Sequence, residues 1–441
     1  MKTRSCLNDL ANWLCAIDPL STPAVEKRAR LLFLDTLGCF IAAQAKPEPA
    51  ALANLHSVRD PGPLTLPGCS LPFSTQSVAM LFALGACWDE ACEGLARAHG
   101  RPGLHAIPAA LGAALASGRP IGDLLRAIVT GFEIGGRMGE ALRIKSGMHV
   151  DGAWGALGAA AAAARAFGAS SAECVRAIET VACQVPFSLY APVSAGATAR
   201  NTYCGHGAAL GLNAALSAMS GIGSPPDAID DYFRIALGGD GAPRISPPGD
   251  YYLLEGYLKP FAAVRHVHYG AQCAIDWRKA QGGDTHPVSA VHLKVYQEAV
   301  QYCGNRNPQS AIQAQFSLSY GLAHALRTGD LGPEAYTAEA LGNPETRRIE
   351  ALVEIKIDAA LTARGERGAA LSVTRAGAVH RTSVDKVAGD PDLPLDESAV
   401  RAKFKRYTAP QIGETHSQAL AEAVLSASLD AGCAEILSVT A

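Results

Sequence analysis

Through the first 250 or so residues the apolar positions recur at the spacing of α-helices. Between 24 and 43, Leu31, Leu34, Leu37 and Ile41 fall on one face, and Ser21-Thr22-Pro23 ahead of them supplies the capping hydroxyl and the first-turn proline of a helix start. Asp35 and Thr36 interrupt that face, and we expect Asp35 to make a side-chain hydrogen bond where helices meet, not to act in catalysis. The Pro/Gly-rich stretch 59–74 predicts a loop or irregular hairpin. Further helices are predicted over 75–88, 107–117 and 120–138, with Asp123 near the last one's N-terminus, where it complements the dipole. The stretch 152–167 is nearly all alanine and glycine, so it reads as a central helix closely approached by its neighbours, with Gly168 as C-cap. Ser170-Ser171-Ala172-Glu173 then has the pattern of a capping box.

Beyond Trp277 the period changes. Residues 291–295, 352–358 and 370–375 alternate apolar and polar positions, the signature of half-buried strands. Helices are predicted between and after them, over 314–328, 333–341, 395–404 and 415–429. The expected fold is mainly α: a large all-helical domain over 1–255, to which 410–441 returns, and a smaller α+β lid domain over 256–409.

Composition narrows the class. The chain has 441 residues, enough for two or three domains, and 49% hydrophobic with 18% charged residues is ordinary for a soluble protein. A formal net charge of -3 and the absence of charge runs give no nucleic-acid footprint. The twelve cysteines form no C-x-x-C or zinc-ligand cluster. With no secretory pattern after Met1, they are expected as free thiols in the cytoplasm, and no segment reads as a membrane span.

Candidate chemistry concentrates in a few places. The segment from Gly256 holds Lys259, Arg265, His266 and His268 within ten residues, joining groups that can grip a carboxylate to groups that can move a proton near neutral pH. His266-x-His268 is read on one side of a strand, an incomplete metal site. A glycine-punctuated loop, 89–105, gathers Asp89, Glu90, Glu93, His99, Arg101 and His105. His149 stands just before the alanine-rich helix, where backbone N–H groups favour anions. Arg200 opens a glycine-containing run, 199–208, that matches neither a dinucleotide nor a P-loop fingerprint, so NAD and ATP are unsupported.

Several of these stretches together resemble the MmgE/PrpD family, which includes 2-methylcitrate dehydratase, cis-aconitate decarboxylase and iminodisuccinate epimerase. The resemblance runs over nearly the whole chain. It rests on Leu34-Asp35-Thr36-Leu37-Gly38, Ala127-Ile128-Val129-Thr130-Gly131-Phe132-Glu133, Met148-His149, Lys259-Pro260 with Arg265-x-x-His268, and Ala314-Gln315-Phe316-Ser317-Leu318-Ser319-Tyr320. It implies a site between a helical domain and an α+β lid, and usually a homodimer. It also implies that His149 and His268 are the acid/base residues and that Arg265 and Lys259 are the cations of the Lys-Pro segment. Three positions depart from the family pattern: Cys87-Trp88-Asp89-Glu90 stands for an Asp-Phe-Asp-Asp-type segment, Arg101-Pro102-Gly103 for His-Pro-Ser, and Arg200-Asn201 for Lys-Arg. His99 and His105 are then the candidates to replace the missing histidine.

Removing a proton next to a carboxylate needs a base near the carbon and cations that hold the developing charge. The assignment is His149 and His268 as acid/base pair, Asp89 to orient a histidine or handle a leaving hydroxyl, and Arg101, Arg200 and Arg265 as carboxylate clamps. No metal or organic cofactor is required. The expected activity is a lyase that dehydrates or decarboxylates a small di- or tricarboxylic acid. The alternatives are an epimerase or isomerase of a similar acid and a catalytically inactive carboxylate-binding relative.

Overall fold

Alanine and glycine set the architecture of the larger domain. The computed structural model describes residues 2–282 and 287–438, and at its centre lies the helix Gly155–Phe167, buried on nearly every side. Four helices surround it: Pro102–Ala116, Ile121–Ala141, Ser171–Ala182 and Thr202–Met219. Their approach is at backbone distance. A Cβ on Gly131 would sit 2.6 Å from the Cβ atoms of Ala106 and Ala162, and one on Gly158 would sit 2.6 Å from the carbonyl oxygen of Gly131. Only the absence of a side chain permits this crossing. The central helix ends at Gly168 in the left-handed region, φ +86°, and the next begins with the expected capping box: the Glu173 N–H donates to Ser170 Oγ at 3.3 Å and the Ser170 N–H donates to Glu173 Oε2 at 2.8 Å.

The helix Pro23–Ala43 is held to the far end of the chain. Lys403 Nζ donates to Asp35 Oδ1 at 2.6 Å and to the Ala91 carbonyl oxygen at 2.7 Å, and the Phe404 ring packs on Gly38. Asp35 therefore serves a helix contact, as an ion pair. The returning helix is Glu397–Ile412, so the return starts ahead of residue 410. Through Ala91 it also props the loop that follows Thr75–Trp88.

The smaller domain carries a four-stranded sheet, in the order Val353–Ile357, Val288–Val295, Ala369–Arg375, Ala378–Val384. The first pair is parallel, with Val291 opposite Val353, and the other two are antiparallel, with Val291 opposite Val373 and Val373 opposite His380. Val291, Leu293 and Val295 share a buried face, against which the helix Arg265–Ala280 packs. The fourth strand escapes sequence reading because it is a half-solvated edge. Its hairpin turn is Ala376-Gly377, both at positive φ, in place of the more recognisable Asn-Gly. Two predictions are corrected here. His266 and His268 lie in the first turn of a helix, not on a strand, and so point in different directions. The predicted helix 314–328 is broken at Ser317, whose Oγ accepts from the Tyr320 N–H at 3.2 Å and starts a new helix, Leu318–Thr328.

Gly158→Val is expected to destabilise the protein by about 2–3 kcal/mol through overpacking against Gly131 and Gly135, measurable as a lower denaturant midpoint. An unchanged midpoint would mean that the helix crossing is slack.

Candidate active site

The loop after Thr75–Trp88 carries Glu90 at φ +53°, a left-handed conformation unusual for a non-glycine residue. That backbone turn brings its carboxylate among three buried cations. Lys259 Nζ donates to Glu90 Oε1 at 2.8 Å and to its carbonyl oxygen at 2.9 Å, Arg101 Nη1 lies 3.2 Å from Oε2, and Arg200 Nη2 donates to the same oxygen. Asp151 completes the cluster, paired with Arg101 and with Arg200 Nη2 at 3.2 Å. Burial alone would raise both carboxyl pKa values. The surrounding charges outweigh it and hold both well below the usual carboxylate range: Arg101, Arg200 and Lys259 for Glu90, and Arg101 and Arg200 for Asp151. Cys87 lies behind the arginines, its sulfur accepting from Arg200 Nη1 at 3.0 Å and Arg101 Nη2 at 3.3 Å. Burial pushes the thiol up, but a hydrogen bond from Cys204 and the charges of Arg200 and Arg101 bring it down to about 7.

His149 sits at the edge of this cluster, in the turn before Gly155–Phe167. Its Nδ1 accepts the Asp151 backbone N–H at 3.0 Å, so the neutral ring carries its proton on Nε2. Burial holds its pKa at about 4. The ring stacks on Tyr190, centroids 5.8 Å apart, Tyr190 meets Tyr302 at 5.9 Å, and Tyr302 stacks on His266 at 6.0 Å. The two imidazoles are thus joined by an aromatic wall. His266 Nδ1 contacts the Tyr296 hydroxyl at 2.6 Å, and its Nε2 has no hydrogen-bond partner among the described residues. Burial holds this ring neutral too.

Glu90, Asp151, His149, His266 and both tyrosines line one cavity of about 220 Å³ between the two domains. Its wall holds six cations, Arg101, Arg143, Arg200, Lys259, Arg265 and Arg367, against three carboxylates, Glu90, Asp151 and Glu298. An unbalanced positive cavity of this kind attracts a small anion carrying more than one carboxylate. No group of three metal-ligating side chains is arranged around an ion among the described residues.

The residues singled out from sequence divide into two sets. Arg101, Arg200, Lys259, Arg265, His99 and His149 line the cavity. Asp89, His105 and His268 do not. His268 is fully buried, with Nε2 against the Ala263 carbonyl oxygen at 2.9 Å and Nδ1 against Arg265 Nη1 at 3.2 Å, so both ring nitrogens are engaged. The Arg265 guanidinium is itself bound by Asp390 and by the Val387 carbonyl at 3.2 Å. His105 accepts the Gly152 N–H at Nε2, 2.9 Å, and contacts the Arg101 carbonyl oxygen at Nδ1, 3.2 Å, which fastens the His149 turn to the helix start at Pro102. Asp89 faces Lys46, 3.4 Å away. His99 stands at the rim, exposed, 3.6 Å from Glu298. The sequence did not single out Asp151, Tyr190, Tyr302 or Arg367, and it marked His266 in the Lys-Pro segment without a catalytic role. Asp151 had one usable signal, its place two residues after His149, and His266 had its place beside Arg265; Tyr190, Tyr302 and Arg367 come from separate segments joined only by folding.

The chain matches the MmgE/PrpD N-terminal domain over residues 8–236 and the MmgE/PrpD C-terminal domain over residues 261–429. No curated relative matches it. The chain belongs to the MmgE/PrpD family.

Two outcomes follow from the site's electrostatics. Glu90→Gln leaves Arg200 and Lys259 underneutralised in the interior and is expected to cost about 3–5 kcal/mol in denaturant unfolding. For His149 the folded pKa, about 4, lies below the ordinary 6.5, so the unfolded chain takes up the proton first as pH falls. Its share of stability is complete above pH 6.5 and is lost towards pH 4, about 3 kcal/mol in all. A His149→Gln variant should show a correspondingly shallower decline between pH 7 and 4; an identical decline would refute the assignment.

Proposed function

We propose that the protein is a cofactor-independent lyase that acts on a small di- or tricarboxylic acid by imidazole-mediated proton transfer, in the manner of 2-methylcitrate dehydratase or cis-aconitate decarboxylase. The observation that carries this reading is the net positive cavity lined by two neutral imidazoles.

Each imidazole suits a different step. His266, with Nδ1 on the Tyr296 hydroxyl, can present an unprotonated Nε2 and take a proton from the carbon next to a carboxylate. The cations around the cavity then stabilise the enediolate-like charge that develops. His149 is fixed by the Asp151 N–H in the form that donates from Nε2. It can therefore pass this proton to a departing hydroxyl, which leaves as water, or to the carbon left after loss of carbon dioxide; the ring is then reprotonated from solvent, to which His266 sheds any proton it has taken from carbon. In this reading His266 takes the place that the Lys-Pro segment resemblance gives to His268, because the nitrogens of His268 are already committed. Arg101 and Arg200, which cannot deprotonate, hold charge and geometry.

An epimerase of a small dicarboxylate such as iminodisuccinate is the second reading, favoured by two imidazoles on the wall, since inversion needs an acid and a base. Homodimeric assembly is proposed from the family, and a cytoplasmic location from the twelve free thiols.

Proton NMR in deuterated buffer with 2-methylcitrate, citrate, cis-aconitate and iminodisuccinate tests the reading. The expected result is turnover or deuteration next to a carboxylate with at least one acid, reduced about 100-fold or more in folded His149→Gln and His266→Gln variants. Binding without turnover or exchange across a panel widened to related acids would favour the inactive relative. Wild-type rates in either variant would remove that histidine from the mechanism.

A further inference from the structure

Most of the cavity's cations are already engaged. Arg101, Arg200 and Lys259 are shared between Glu90 and Asp151, and Arg265 is held by Asp390 and the Val387 carbonyl. Arg143 is exposed at the rim and donates to the Arg97 carbonyl oxygen at 2.9 Å. Arg367 differs from all of these. It makes no hydrogen bond to any described residue, and its one ion pair is loose, Nη2 to Glu298 Oε2 at 4.0 Å. Yet its side chain is only 22% exposed.

The backbone holds it there deliberately in space. Gly365 closes the short helix Ala359–Arg364 at φ +66°, and a Cβ on Gly368 would come 3.0 Å from the Val384 carbonyl oxygen, so the Gly365-Glu366-Arg367-Gly368 turn is tight against the sheet. The groups that act on the guanidinium are the phenols of Tyr296, Tyr257 and Tyr269 and the Glu298 carboxylate. Phenols are neutral at physiological pH. A guanidinium drawn partly out of water with its donors unused bears a desolvation cost that a carboxylate, binding it in a fork, would offset.

We propose that Arg367 is the receptor for a second substrate carboxylate, with Glu298 holding its place until the acid binds. This rests on the carboxylate reading of the site given above and deepens it. The substrate then spans the two domains: one carboxylate lies towards the cation cluster of the helical domain, the other on the arginine of the sheet domain. Discrimination between di- and monocarboxylates follows from the second contact.

Calorimetric titration with unreactive acids provides the test: succinate, glutarate and tricarballylate, with succinamate and glutaramate as controls that replace one carboxylate by a neutral amide. Wild type should bind at least one polycarboxylate more tightly than the matching amide. Arg367→Gln should weaken that binding by about 10–100-fold and abolish the preference over the amide, while Glu298→Gln should strengthen it. Arg367→Lys, which keeps the charge but not the fork, covers the case in which the glutamine variant does not fold; it should recover only part of the preference. An unchanged preference in either arginine variant overturns the assignment of Arg367 and leaves the carboxylate reading standing. Failure of wild type to bind any of these acids counts against that reading itself, and this inference falls with it.

Discussion

Two carboxylates, Glu90 and Asp151, and three cations, Arg101, Arg200 and Lys259, have to balance one another while almost fully buried in the cavity wall. Inside a protein such charges are tolerated only when every member is paired, and loss of one exposes the rest to the full cost of desolvation. Much of the surrounding structure can be understood from that constraint. The strained backbone of Glu90, the His105 brace between Arg101 and Gly152, and the contact of Lys403 with the Ala91 carbonyl all fix the segments that supply the five groups. The alanine-rich helix core contributes differently. By letting Pro102–Ala116 and Ile121–Ala141 approach Gly155–Phe167 at backbone distance, it leaves the site on a rigid platform.

The cluster also decides what the cavity can do. Its arginines and lysine are largely spent on internal partners, so they set a positive field and a fixed geometry. The free chemistry falls to groups at its margin: His149, fixed by a backbone N–H; His266, on a tyrosine hydroxyl; and Arg367, across the cavity on the sheet domain. Burial keeps both imidazoles neutral at physiological pH, which suits proton transfer better than a permanently charged ring. The departures from the family pattern take on a physical meaning here. Arg101 and Arg200 stand where the sequence resemblance leads one to expect a histidine and a lysine. Both arginines are tied to Glu90 and Asp151, and a bidentate, always charged group suits that work.

Long helices were legible in the sequence wherever period and caps agreed: 75–88 matches Thr75–Trp88, and Ser170 with Glu173 forms the capping box its spacing implies. The edge strand Ala378–Val384 was not, because solvent on its outer side leaves little apolar signal. Within the site, His149 and the cations Arg101, Arg200, Lys259 and Arg265 could be singled out because charged residues among small apolar ones stand out. What sequence could not show was which nitrogens remain unoccupied. His268 and His266 are two residues apart and equally plausible on paper. A helical turn sends one into a saturated hydrogen-bond network and the other to the cavity wall. Arg367 had only its flanking glycines to mark it, and its role depends on strands and tyrosines far away in the chain.

The most direct test of the account is a crystal structure of the protein with tricarballylate, an unreactive tricarboxylic acid. The account predicts the acid inside the cavity, with an imidazole nitrogen of His149 or His266 within hydrogen-bond reach of it and its carboxylates directed at the cationic wall. A cavity left empty while the acid binds elsewhere, or an acid seated against His268 after displacement of Arg265, would contradict it.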